Sequence, residues 1–266
     1  VEIETDFVKS FQTSHPLRSD FEFIDDTLGG GTSSLQVIID TGKDGGVKEP
    51  EFMNAMLVYQ TWVEENFDGV MTTMSVANIV REVHKVMMDN DPSEYRIPDT
   101  RGAIASELLL YENGDPDGLF RMVTDDYRFA RVDVRTKTGG SHQAARLMEM
   151  AKEKAEEMLP QESTFKFTGI SQLFVQMTKN LSSGQIRSYS AAAVMILIMM
   201  LIVLRSIKLG LLSMIPNLLP IIATLGLMGI AKIPLDFATL LIACIAIGIA
   251  VDDTIHLLIR YKRSFQ

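Results

Sequence analysis

The sequence predicts an α+β domain over residues 1–188, standing outside a membrane, followed by an all-α bundle of membrane helices over 189–266. Three observations carry this. Hydrophobic residues make up 47% of the 266 residues and mean hydropathy is +0.14, high for a soluble domain. Most of that excess sits in three long apolar runs near the C-terminal end, whereas the preceding residues show strand and amphipathic-helix periodicities. The charge divides at the same place. From Tyr189 onward Arg205, Lys208, Lys232, Arg260, Lys262 and Arg263 face Asp236, Asp252 and Asp253, a balance of +3; the whole chain carries −9, so residues 1–188 carry −12. Opposite charge and different hydropathy in two lengths of chain point to two environments.

In the first part, "SLQVIIDTG" (34–42) is a β-branched run and predicts a strand. A helical stretch follows from Glu51 to Phe67, then a strand in "GVMTTMSV" (69–76) and a helix to about Met88. "NDPSEYRIPDTRG" reads as a loop, with helical pieces over about 101–124. "YRFARVDVRT" (127–136) alternates, with Ala130, Val132 and Val134 on one face and Arg131, Asp133 and Arg135 on the other. That predicts a half-exposed strand. "SHQAARLMEMAKEKAEEML" (141–159) is an amphipathic helix and "STFKFTGI" (163–170) a strand, and residues 171–188 continue as helix into the apolar part. Strand–helix–strand therefore occurs twice, with crossovers long enough for parallel or split βαβ pairing.

The second part predicts three membrane spans, at about 189–204, 209–230 and 235–259. A spanning helix needs about 20 residues. The second and third runs reach this alone, and the first reaches it with the residues before it. "RSIK" (205–208) and "RYKR" (260–263) are basic, while "AKIPLD" (231–236) is nearly neutral. The positive-inside rule then puts the first connection and the C-terminal end in the cytoplasm and residues 1–188 on the opposite, periplasmic or extracellular face. Pro216 and Pro220 lie inside the second span. Each removes a backbone donor and crowds the carbonyl one turn back, giving a kink or a flexing helix.

The third span raises the functional question, because "GIAVDDTIHLLIRYKR" (248–263) places adjacent carboxylates in an apolar run. An ionised Asp near the middle of a membrane helix costs about 2.5–3.5 kcal/mol on insertion scales. Asp253 precedes Ile259 by about six residues, roughly 9 Å along a helix, too deep for so short a side chain to reach water. Cys244, Gly248, Asp252 and His256 recur every four residues as one stripe, and Ala243, Ala246, Ala250 and Asp253 form a second. Both are small-residue stripes ending in an acid, so the span packs closely within a bundle with Gly248 at a contact. Two carboxylates this close resist ionising together, which suits one of them to carry a proton reversibly. His256, four residues from Asp252, extends such a relay or packs. A fixed ion pair or a sodium site is the alternative for the pair.

"GIAVDD" resembles the fourth transmembrane helix of the resistance-nodulation-division (RND) superfamily, most closely its predicted-exporter and MMPL-like branch. "IPNLLPIIATLGLMGI" (215–230) resembles that family's third helix, and residues 14–42 resemble the start of its periplasmic domain. The resemblance covers nearly the whole chain. It implies ferredoxin-like βαβ subdomains in the periplasmic part, and a protein of twelve spans in two similar halves. Of these, this chain would hold most of the first outer loop and spans two to four. It further implies proton-driven export of hydrophobic or amphiphilic molecules, lipids among them, across a bacterial or archaeal cytoplasmic (inner) membrane. Asp252 and Asp253 are then the relay residues, and the partners are membrane lipids, cargo and protons, with a homo-oligomer compatible. A sterol-sensing or Patched-like lipid-binding regulator, and an accessory subunit of protein export, share the same spans and are the alternatives.

The rest of the sequence narrows the classes. The chain opens on Val1 and closes just after a basic cluster, and reads as an internal piece of a longer protein. Its single cysteine, Cys244, lies in an apolar run and cannot form an internal disulfide. "LGGGTSS" (28–34) lacks the lysine and spacing of a phosphate loop. "DND" (89–91) lacks the remaining spacing of a calcium loop, and His15, His84 and His142 are scattered, so neither a metal nor a cofactor is expected. No basic patch suits nucleic acid, and no constellation suggests an enzyme. The −12 balance of the outer part serves solubility or cationic cargo.

Overall fold

The computed structural model describes residues 11–28, 31–137 and 139–231, together with Val8, Ile245, Ile249, His256 and Arg260. The chain divides into two compact units, Asp6–Val175 and one that includes Gln176–Gln266. In the first unit a short helix α1 (Pro16–Phe23) leads through a π-helical turn to strand β1 (Ser33–Asp40), helix α2 (Pro50–Asn66) and strand β2 (Val70–Met74). Three helices follow, α3 (Val76–Met87), α4 (Arg101–Gly114) and α5 (Pro116–Phe120), then strand β3 (Phe129–Thr136), helix α6 (Ser141–Met158) and strand β4 (Thr164–Thr168). Helix α7 (Ile170–Leu204) starts in this unit and continues into the second, which also contains α8 (Ile207–Leu212) and α9 (Met214–Ile230).

The four strands form one sheet in the order β2-β3-β1-β4, and all three pairings are antiparallel. β1-α2-β2 leaves a gap of one strand, which β3 fills. β3-α6-β4 leaves the same gap, which β1 fills. This is the split form of the βαβ unit and the ferredoxin-like arrangement. The sequence suggested several such subdomains; the two units instead interleave into a single sheet. The reason is physical: a two-stranded unit with one helix leaves two open edges and buries too little to stand alone.

The core follows from the register. Leu35, Val37 and Ile39 of β1 lie opposite Val134, Val132 and Ala130 of β3, and all six are buried. Phe165 and Phe167 of β4 pair with Ile39 and Val37 on the same face, ring edge against ring face. Onto that face α2 lays Phe52, Met53, Met56, Tyr59 and Val63, and α6 lays Leu147, Ala151 and Ala155. The Tyr59 hydroxyl donates to the Ala151 carbonyl at 3.2 Å and so joins the two helices; burial holds this phenol protonated far above its ordinary range. The opposite face carries Gln36, Ile38, Arg131 and Lys166. One position departs from the simple alternation: Asp133 is buried, with Arg131 Nη2 at 2.8 Å. A charge can lie there because its partner sits two residues along the same strand.

Gly169 turns the chain from β4 into α7 at φ +93°, and a Cβ there would come within 3.0 Å of the Ser34 carbonyl oxygen. In the second unit α7 ends at Leu204, with Arg205 in the left-handed region at φ 49° and Ser206 capping α8. Gly210 brings α8 against Leu201 of α7; a Cβ at 210 would lie 2.6 Å from a Leu201 methyl carbon. The span expected at 209–230 is thus two helices meeting at Ser213. Among the described residues no helix is long and apolar enough to cross a membrane. The span expected at 235–259 lies outside the described residues apart from Ile245, Ile249 and His256.

Gly169→Ala is expected to cost about 1–3 kcal/mol, because it adds both a strained backbone and a contact with a strand carbonyl that cannot move away. Thermal unfolding of the purified protein by circular dichroism should show a midpoint lower by several degrees; an unchanged midpoint would contradict the turn geometry.

Candidate functional site

The residues singled out in the sequence divide between two places. Asp252, Asp253 and Gly248 lie outside the described residues. His256 is helical and exposed. Pro216 is the third residue of α9, in its first turn. There its missing N–H removes no intrahelical bond, but it cannot serve the carbonyl of Leu212, where α8 ends. The junction at Ser213 is therefore where this proline requires a break. Ser213 Oγ donates to the Gly210 carbonyl at 2.7 Å across it. Pro220 lies within α9, which continues through it to Ile230.

A titratable centre that the sequence reading passed over lies in the first unit, within the insertion between β2 and β3. Its base is a polar knot. Ser75 caps α3, accepting from the Ala77 amide, while Asn78 Oδ1 accepts from the Ser75 amide at 2.9 Å. Gln60 of α2 donates to both Thr73 Oγ1 and Asn78 Oδ1 and accepts from Ser75 Oγ. With its start pinned, α3 presents Val76, Ala77, Ile79 and Val80 to the core, and the same stripe ends in His84. His84 is 4% exposed. Opposite it, Glu107 stands on the buried side of α4 beside Ile104 and Leu108, 3% exposed.

The imidazole lies between two carboxylates. Nδ1 is 2.6 Å from Glu107 Oε1, a hydrogen bond, and Nε2 is 3.4 Å from Glu94 Oε2, an ion-pair distance. Nε2 and Glu107 Oε2 are buried and make no hydrogen bond. Burial pushes the Glu107 carboxyl above its ordinary range, and the neighbouring His84 pulls the other way. Glu94 lies in a short helical turn, Pro92–Glu94, whose start is capped by Asp91. It is also held by Arg96 Nε at 2.9 Å. The two ring nitrogens face different carboxylates. Among the described residues no group of three or more His, Cys, Asp or Glu side chains is placed to hold a metal ion.

A signal for this centre was present in the sequence. Val76, Val80 and His84 recur at a spacing of four, and Glu107 interrupts the apolar positions 104 and 108. A polar residue on an apolar stripe is a buried group that needs a partner. Histidine spacing along the chain does not find it, since its partners lie on two other elements.

The model of the MMPL family matches residues 49–266, more than four fifths of the chain. The chain belongs to the MMPL family. It is thus RND/MMPL-like and a membrane protein. A relative, "Putative membrane protein MJ1562" of Methanocaldococcus jannaschii, is 25% identical over 275 residues, covering 99% of this chain and 66% of the relative. The MMPL chain therefore spans just under two thirds of that protein's length.

His84→Leu leaves Glu107 buried with no partner and is expected to cost about 3–5 kcal/mol, whereas replacing both residues by leucine should recover most of that loss. Thermal unfolding of the three proteins checks this; a double variant as damaged as the single one would mean the pair is not coupled.

Proposed function

We propose that this MMPL protein is a membrane transporter of the RND type, not an enzyme, and exports hydrophobic or amphiphilic molecules at the expense of a proton gradient. The observation that carries the reading is the family match from residue 49 to 266, which takes in the ferredoxin-like domain from α2 onward and the segment with the paired acids. In this reading residues 1–188 stand outside the cytoplasmic membrane. Asp252 and Asp253 accept a proton from the outer side and pass it inward, with His256 extending the path. Adjacent carboxylates suit the task because the first charge opposes the second. Neutralising one removes the cost of keeping two anions in an apolar segment, so the third span can shift against its neighbours. Pro216 and Pro220 let the second span flex with it. The outer domain then alternates between open and closed towards the cargo.

The test is proton entry into liposomes that carry the full-length protein under an imposed pH gradient. Asp252→Asn and Asp253→Asn are each expected to reduce uptake by at least about tenfold, since neither amide can carry a proton. Uptake that persists in both variants, or that is missing from the folded parent protein, would remove the aspartates from the proton path and favour a lipid-binding or accessory role.

A further inference from the structure

We propose that His84, set between Glu107 and Glu94, is a pH-operated latch that fastens the 89–100 loop to α3 and α4 when its ring is protonated and releases the loop when the ring is neutral. The latch rests on the geometry of the first unit alone and does not depend on proton transport by the paired aspartates.

The argument starts from the ring's two sides. Protonated, the imidazole donates from Nδ1 to Glu107 at 2.6 Å, and Nε2 stands at ion-pair distance, 3.4 Å, from Glu94. The cation is then bridged to α4 by a buried carboxylate and to the 92–94 turn by a half-buried one. When the ring is neutral, one nitrogen must become an acceptor. If Nδ1 keeps its proton for Glu107, Nε2 turns a lone pair on Glu94, and two acceptors face each other. If Nε2 keeps the proton, Glu107 must take one from elsewhere or stand as a buried anion without a donor. Either arrangement is worse than the protonated one, and the cheaper escape is for the half-buried partner, Glu94, to leave.

The sign follows. The latched state binds one more proton than the released state, so latching is complete at low pH and is lost as pH rises. The other charged groups near the ring do not reverse this. On α3 itself Arg81 and Lys85 lie over the Tyr95 ring at 3.9 and 5.3 Å, and Lys85 is also paired with Glu82. Beyond the turn, Arg96 pairs with Glu94 and Asp99. From α4 the facing group is Glu107. α2 reaches α3 through the amide of Gln60, which does not titrate. On β3, Asp133 is engaged by Arg131 of its own strand.

The loop is built to respond. It leaves α3 through Asp89 and Asn90, both in the left-handed region at φ 54° and 61°. Residues 91–96 are held by short-range backbone bonds, among them Glu94 to Asp91, Tyr95 to Pro92 and Arg96 to Glu94, and the loop is anchored beyond them by Ile97, buried in the core. Such bonds close and open locally, without the sheet, at a small fraction of the global unfolding free energy.

The experiment is hydrogen–deuterium exchange on the full-length protein at pH 5.5 and pH 8, with exchange corrected for its intrinsic pH dependence. Protection in peptides covering 89–96 is expected to fall about threefold to fivefold at pH 8, the scale of one partly exposed ion pair, while β1 and β3 peptides do not change. Glu94→Gln should abolish that difference, because an amide can partner the ring in either state. His84→Gln, which cannot titrate, should also show one level of protection at both pH values. Equal protection at the two pH values in the parent protein, or a pH difference that survives in either variant with sheet protection intact, would overturn the latch.

Discussion

Leu35, Val37 and Ile39 can be covered on one side only if β1 lies beside β3 in the observed register, and the outer unit is arranged around that pairing. Side chains of this size contribute about 1.5–3 kcal/mol each when fully buried. Five of them and Ala130 meet across one ladder. A shift of one residue would turn one strand's three to the face opposite its partner's. With the central pair set, β2 and β4 can add only at the outer edges, so the two strand–helix–strand units interleave. α2 and α6 must then cover the same face, side by side. The bond from the Tyr59 hydroxyl to the Ala151 carbonyl marks where they meet.

The connection from β2 to β3 touches the sheet near its end, where Val123 bridges to Ala130. A hairpin would close it, but the chain instead spends residues 75–128 on three helices. Their attachment is polar at the base, through Ser75, Asn78 and Gln60, and apolar along α3 and α4. The charged pair at the end of that apolar stripe needs separate reasoning. Two leucines would stabilise the α3–α4 contact at least as well as a buried imidazole and carboxylate, since desolvation offsets most of the Coulomb attraction. Stability alone therefore explains the imidazole and carboxylate poorly, and the latch gives them a role.

Much of the fold was legible because its period is local. The β-branched run at 34–42, the alternation at 127–136 and the amphipathic stretch at 141–159 became β1, β3 and α6 with bounds close to those expected. Pairing order was not legible, since parallel and split crossovers need similar lengths of chain. Nor was the burial of Asp133, which depends on a neighbour curling over it. His84 was set aside as one of several scattered histidines, although its place on the Val76–Val80 stripe was readable. For the paired acids the contrast is instructive: Asp252 and Asp253 stand out because a charge in a long apolar run is anomalous in one dimension, whereas His84 and Glu107 become anomalous only once α3 meets α4.

The helices of the second unit extend the argument from local rules. Arg205 takes the left-handed turn, Ser206 caps the next helix, and Gly210 permits a contact with Leu201 that a larger residue would push apart. Pro216 then stops α8 from running into α9. In water such a break would be cheap, since solvent can serve the carbonyl that a proline leaves without its donor. In an apolar medium each unserved carbonyl costs several kcal/mol, and broken helices persist there only where neighbouring chain or a wet cavity supplies the partner. The Ser213 hydroxyl turns back to the Gly210 carbonyl, short of the one Pro216 leaves, so the Leu212 carbonyl needs a donor from neighbouring chain or from water.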